Sequence, residues 1–293
     1  MKGFLSSEVK DVCERESPFE FSQHTTIACG GYAKTAYYPE TLLQMQVLLM
    51  RLREIGAEYC VVGNGSNLLP PDGELRRVVV CSKRMRGIWK TDGLFVEAGV
   101  TSGQLLRECI RLGKSGGEFL TGIPCTVGGA LFMNAGVAGA YISQIVESVT
   151  VFREGNILEL PVKICEYSYK SSLFMRNNDV ILGAKLRLHS ATGEEIKAKM
   201  REYAARRTHL PRGKSMGCVF KNPENVSAGK LIEGAGLKGL RVGNAVVSEK
   251  HANFVLNEGG ATSQQVRTLI GIVKNAVYAQ YRIKLQEEIR YLT

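Results

Sequence analysis

Apolar residues recur along this chain in two rhythms. From Thr41 to about Ile55, the residues Leu42, Leu48, Leu49, Leu52 and Ile55 line one face of a helix. The run AEYCVVG from Ala57 predicts a buried strand entering the loop GNGSN, and RRVVVC and LFVEAGV predict two more strands. TSGQLLRECIRLG from Thr101 predicts a short helix opened by a hydroxyl cap and closed at Gly113. VTVFREGNILELP predicts a hairpin turning near Gly155-Asn156, and DVILGAKLRL a further strand.

Beyond Ala191 the balance shifts toward helix. Thr192 and Glu195 form a capping-box pair, so a helix begins there and ends by Pro211. SAGKLIEGAG predicts a helix capped by Ser227 and stopped near Gly236. The strand ANFVLN follows, then a long helix with a second capping-box pair, Thr262 and Gln265, and a final strand LQEEIRYL. The pattern is that of an α+β chain, with the main domain boundary in or just before the helix that starts at Thr192.

Bulk properties narrow the class. A chain of 293 residues can bury more than one core. Its longest apolar runs, such as VVVC and ALFM, are too short to span a bilayer, and the acid-bearing N-terminal stretch MKGFLSSEVKDVCERE lacks the apolar core of a leader. A cytoplasmic protein without membrane insertion is expected. The eight cysteines are scattered and form no CxxC pair, and the four histidines have no ligand spacing, so no metal site is expected. A net charge of +10 suits an anionic partner. No nucleic-acid motif accompanies it, and the basic helix near Lys197 to Lys214 is expected to be a solvated face. Nothing in the sequence sets the oligomeric state.

Three stretches carry candidate chemistry. In VVGNGSNLL a strand feeds a Gly-x-Gly-Ser-Asn turn, whose backbone N–H groups either converge on a phosphate or simply make a tight turn. It lacks the third glycine of a dinucleotide fingerprint and the Gly-Lys-Ser/Thr of a P-loop. The run Gly116 to Gly139 is glycine-dense yet apolar, which is either a compact loop or the wall of an aromatic cofactor pocket. In SMGCVFKNP, a thiol at Cys218 stands between a glycine and a Lys-Asn pair, and by composition alone it reads as buried filler.

Together these stretches carry a resemblance. HTTIACGGYAKTAYYPET, VVGNGSNLL, GIPCTVGGALFMNAG, YKSSLF, GCVFKNP, AGKLIEGAGLKGLRVGNAVVSEKHANFVLN and LQEEIRYL occur in the order found in UDP-N-acetylenolpyruvoylglucosamine reductases, also called UDP-N-acetylmuramate dehydrogenases. The resemblance covers about Phe21 to Arg290 and is to the compact form of the family. It implies two FAD-clasping subdomains of the vanillyl-alcohol-oxidase (PCMH) type, residues 1–56 and 57–191, and an α+β substrate domain, residues 192–293. It also implies a reaction: NADPH reduces the flavin, hydride passes to vinyl carbon C3 of a UDP-sugar enolpyruvyl ether, and a general acid protonates C2.

By this resemblance Gly63, Asn64, Gly65, Ser66 and Asn67 cradle the FAD pyrophosphate. Gly122, Ile123, Pro124, Thr126, Gly128, Gly129, Asn134, Ala135 and Gly136 line the rest of the cofactor. Tyr169, Lys221 and Asn222 shape the substrate pocket, while His251 is either a substrate contact or a structural histidine. The catalytic positions fall on Cys218, Lys170 and Glu288, of which only the glutamate keeps the family residue; serine and arginine are usual at the other two. A thiol, ordinarily titrating near about 8.5, is a better acid than an alkanol and suits proton donation. Lysine offers a point charge where arginine would offer two parallel hydrogen bonds. Ala28 stands where an arginine is usual. Cys125 replaces a glycine, and is expected to be a packed thiol, with covalent flavin attachment the alternative. Two competing functions remain: a UDP-sugar-binding flavoprotein without turnover, resting on Cys218 and Lys170, and an oxygen-using flavin oxidase.

Overall fold

The computed structural model describes residues 12–293; Met1–Asp11, which include most of the stretch judged to lack a leader, lie outside the described residues. The chain divides into two compact units. One comprises residues 12–17, 35–64 and 77–208, the other residues 18–34, 65–76 and 209–293.

The first unit holds two larger sheets beside two short two-stranded ones. A four-stranded sheet runs in the order Glu14–Glu16, Ala36–Tyr38, Val78–Cys81, Tyr59–Val62. Helix Leu42–Glu54 buries Met45, Leu48, Leu49 and Leu52 completely in the adjoining core, each contributing about 1.5–3 kcal/mol. Strand Tyr59–Val62 was expected to be buried. It lies at the edge of the sheet, and Val61 is 37 % exposed. The second sheet is antiparallel, in the order Asn156–Pro161, Val146–Arg153, Val180–Leu186, Leu94–Glu97, Ile88–Lys90. Its hairpin turns one residue earlier than expected: Glu154 and Gly155 both take positive φ, as a two-residue hairpin turn requires, and Asn156 already pairs with Arg153.

Local helix signals hold throughout. Thr101, Thr192 and Thr262 each accept the amide three residues on and complete capping boxes, and Gly113 closes Ser102–Leu112 in the left-handed region. The glycine-dense run departs from a pure loop, because Val127–Met133 is a helix capped by Thr126. Gly128 is required there, since a Cβ would lie 2.9 Å from the Ala98 Cβ.

The second unit is built on an antiparallel sheet in the order Lys214–Cys218, Phe254–Asn257, Ala245–Val247, Arg241–Val242. Helices Ala228–Gly234 and Ser263–Tyr281 supply Leu231, Ile232, Val266, Leu269, Ile270, Val273 and Val277 to its core. Two side chains fasten distant segments. Asp72 accepts the amides of Ser263 and Gln264 at 2.6 and 2.8 Å, capping the long helix from elsewhere in the chain. Buried Asn257 donates to the carbonyls of Ile27 and Ala28, and accepts from the amides of Gly259 and Ala261. The final strand is shorter than LQEEIRYL suggests. Only Arg290–Tyr291 is strand, paired in parallel with Leu68–Leu69, because residues 286–288 give their main chain to the segment after Cys218.

Candidate functional site

The loop Gly63–Asn67 follows strand Tyr59–Val62 and carries the chain from one unit into the other. Within the first unit it meets the second glycine run directly. Asn64 Nδ2 donates to the Pro124 carbonyl at 2.8 Å, and a Cβ on Gly63 would lie 2.4 Å from Thr126 Oγ1. Two stretches that composition could only pair by proximity are thus in contact. Within the second unit, Gly65 sits at φ +64°, and a Cβ there would lie 2.5 Å from the His24 carbonyl. Among the described residues, the consecutive amides of Asn64, Gly65 and Ser66 find no protein acceptor. Adjacent N–H groups in a glycine turn fit the oxygens of a pyrophosphate.

The second glycine run is pinned to its own unit. Ser102 Oγ donates to the Ile123 carbonyl at 2.6 Å, and the Gly128 amide to Ala98 at 2.8 Å. Gly129 N–H goes to Thr126 Oγ1, the Ala135 amide to Ala130, and a Cβ on Gly136 would lie 2.3 Å from the Ala140 carbonyl. Gly122 takes φ +73° with Arg207 beside it, a Cβ there standing 3.1 Å from Nε. Arg207 was not singled out in the sequence, where it belongs to a basic run expected to be solvated. Cys125 is packed in the core, and burial pushes its thiol up to about 12 against the smaller pull of Ser102 and Arg207. That state is a neutral, packed thiol.

Lys170 lies in the same unit on the turn Ser168–Ser171, at φ +52°, with Tyr169 44 % exposed beside it. Asn134, at the left-handed end of helix Val127–Met133, donates to the Ser168 carbonyl at 2.8 Å and accepts from the Ser143 amide. Ser172 Oγ donates to the Phe132 carbonyl at 2.7 Å. The Asn134 carboxamide therefore holds the Lys170 turn.

In the second unit, the main chain just after Cys218 meets the main chain at Glu288. Cys218 ends strand Lys214–Cys218, where Gly217 at φ +75° and a register shift interrupt the ladder with Phe254–Asn257. The Glu288 amide donates to Val219 at 2.7 Å, the Glu288 carbonyl accepts Asn67 Nδ2 at 3.0 Å, and the Lys221 amide reaches Gln286 at 2.8 Å. Asn253, buried, accepts from the Phe220 amide at 2.9 Å and donates to the Phe220 carbonyl at 2.8 Å, and its own carbonyl takes the Val219 amide. Asn222 Oδ1 accepts the Ala228 amide at 3.0 Å and so braces the next helix. His251 Nδ1 accepts the Asn253 amide, and burial, then the neighbouring His209, lower its pKa.

Residues 208–292 match the family described as UDP-N-acetylenolpyruvoylglucosamine reductase, C-terminal domain, and residues 33–160 match an FAD binding domain. A reductase of that name from Clostridioides difficile (strain 630) is 39 % identical over 92 % of this chain and 90 % of its own length. One from Geobacter metallireducens is 37 % identical over 98 % and 96 %. The chain belongs to the UDP-N-acetylenolpyruvoylglucosamine reductase family. The crystal structure of the Thermus caldophilus reductase, 34 % identical, superposes with a TM-score of 0.82 over 96 % of this chain and 98 % of that one. An α+β reductase with an FAD-binding part and a characteristic C-terminal domain is the class expected from the sequence. In this member of the reductase family, the main chain beside Cys218 and Glu288 is held by Asn67 and Asn253. Their partners lie too far along the chain for any local pattern to reveal them.

Proposed function

We propose that this chain reduces UDP-N-acetylglucosamine enolpyruvate to UDP-N-acetylmuramate with NADPH, in the supply of peptidoglycan precursors in the cytoplasm. The observation that carries this reading is the Glu288 amide on the Val219 carbonyl, which sets the glutamate beside the thiol-bearing strand. When bound, FAD would supply hydride-transfer chemistry between NADPH and vinyl carbon C3 of the substrate.

The protein's own groups do the rest. Gly63, Asn64, Gly65, Ser66 and Asn67 hold the cofactor pyrophosphate, and Gly122, Ile123, Pro124, Thr126, Gly128, Gly129, Ala135 and Gly136 line its ring system. Asn134 serves by fixing the Lys170 turn. Lys170 offsets the negative charge that develops as hydride reaches C3, and Glu288 stabilises the resulting enolate by hydrogen bonding. Cys218 gives its proton to C2, completing addition of hydride and proton across the double bond. Tyr169, Lys221 and Asn222 orient the UDP-sugar.

The test is anaerobic: reduce the flavin with NADPH, add the enolpyruvyl UDP-sugar, and follow return of the oxidised-flavin absorbance together with formation of the lactyl ether. Rapid return with stoichiometric product supports the reductase. Substrate binding with the flavin left reduced would make this a UDP-sugar-binding flavoprotein without turnover.

A further inference from the structure

Residues 219–221, directly after Cys218, are held by an unusual device. The ladder between Lys214–Cys218 and Phe254–Asn257 shifts register between Ser215 and Cys218, and Gly217 occupies the left-handed region. Beyond that bulge a side chain replaces the neighbouring strand. The Asn253 carboxamide accepts from the Phe220 amide at 2.9 Å and donates to the Phe220 carbonyl at 2.8 Å, as a peptide unit would. A carboxamide offers both a donor and an acceptor in one plane. The side chain is fixed in turn: Asn253 is 3 % exposed, its carbonyl takes the Val219 amide at 2.8 Å, and its amide rests on His251 Nδ1 at 3.3 Å. With Glu288 on the Val219 carbonyl, every main-chain polar group of Val219 and Phe220 has a fixed partner, and two of those partners are on one side chain.

We propose that Asn253 is a positioning residue for proton delivery: its carboxamide sets the course of the main chain leaving Cys218, and hence where the thiol stands when C2 is protonated. This rests on the reading of Cys218 as the proton donor. In this role the carboxamide acts through Phe220. Reduction of the flavin by NADPH needs no proton from Cys218, so the two half-reactions separate this role from a general loss of structure.

Asn253→Asp tests it. The replacement is nearly isosteric and still accepts from the Phe220 amide. Only its protonated form can donate to the Phe220 carbonyl; the carboxylate form sets two acceptors against each other. Reduction by NADPH is expected to stay within about twofold of wild type, while reoxidation by the UDP-sugar falls about tenfold or more, in keeping with the cost of small misplacements. The solvent hydrogen isotope effect on reoxidation should rise, and the lost rate should return as pH falls and the introduced carboxyl takes up its proton. Equal loss in both half-reactions would overturn the proposal. So would an unchanged reoxidation rate, or a loss with neither the larger isotope effect nor the low-pH recovery. Cys218→Ala is measured beside it. If that variant keeps its reoxidation rate, the reading of Cys218 falls and takes the positioning role with it. If Cys218→Ala is slow and Asn253→Asp is not, only the positioning role falls.

Discussion

The Glu288 amide donates to the Val219 carbonyl at 2.7 Å, so the residue after Cys218 and the family's glutamate share a hydrogen bond across a long stretch of chain. In the proposed reaction, the proton donor and the enolate-stabilising glutamate are therefore set by one piece of backbone. Cys218→Ala should slow substrate-driven flavin reoxidation by about 10²–10⁴-fold, the usual worth of a general acid. Reduction by NADPH should be unaffected. Cys218→Ser, which restores the family residue, should retain rapid reoxidation. Stopped-flow absorbance of the flavin checks both, and a fast Cys218→Ala variant would remove the thiol from the mechanism.

Gly65 commits the loop Gly63–Asn67 to glycine by geometry. It combines φ +64° with only 2.5 Å between a would-be Cβ and the His24 carbonyl. Strain of about 1–3 kcal/mol is the ordinary cost of such a misfit. Gly65→Ala should weaken FAD binding by about tenfold or more as the turn opens, 1.4 kcal/mol being worth tenfold. Titration of apoprotein with FAD by flavin fluorescence measures this. An unchanged Kd would mean the pyrophosphate is held elsewhere.

Lys170 sits at φ +52°, where a non-glycine residue costs about 1–2 kcal/mol. Backbone and charge thus make opposite demands. Lys170→Gly should melt no lower than wild type, yet show slower reoxidation and a higher KM for the UDP-sugar. Lys170→Arg should keep the charge and the activity. Thermal melts beside steady-state kinetics check the split, and a fully active Lys170→Gly would deny the lysine any catalytic part.

Buried thiols make stability depend on alkaline pH. Burial raises the Cys125 thiol from 9.0 to about 12, and Cys109 likewise to about 12. With the folded pKa raised, the unfolded chain loses these protons first as pH climbs. Stability is therefore full below about 9 and falls as pH rises toward about 12. Each such thiol contributes a slope of about 1.4 kcal/mol per pH unit within that window. Urea unfolding under reductant at pH 7 and 10 should show the fall, and Cys125→Ala should flatten it. Acid-denatured protein should release its flavin completely, since a neutral packed thiol does not attack the ring.

What the sequence disclosed follows the range of each interaction. The caps at Thr101, Thr192 and Thr262 were readable because partner and cap are three residues apart. The helix Val127–Met133 was not, because its early glycines speak against a helix, and Gly128 is required only by Ala98, just beyond strand Leu94–Glu97. The turn GNGSN was visible as a glycine pattern, but its contacts with Pro124 and Thr126 were not. Cys218 and Glu288 came from family resemblance; the main chain beside them is held by Asn67, Asn253 and Val219, whose partners lie from 33 to 221 positions away.

Asn257 and Asp72 tie the second unit to pieces of chain synthesised far earlier. Residues 18–34 and 65–76 leave the ribosome long before residues 209–293 exist to receive them. They must wait, and closing such long loops makes this unit slow to assemble relative to its size. The same arrangement governs how the unit can be moved between proteins. A single cut before His209 would carry away a helix without its Asp72 cap and an asparagine without its two carbonyls. A chimaera that keeps the unit whole needs all three segments exchanged together.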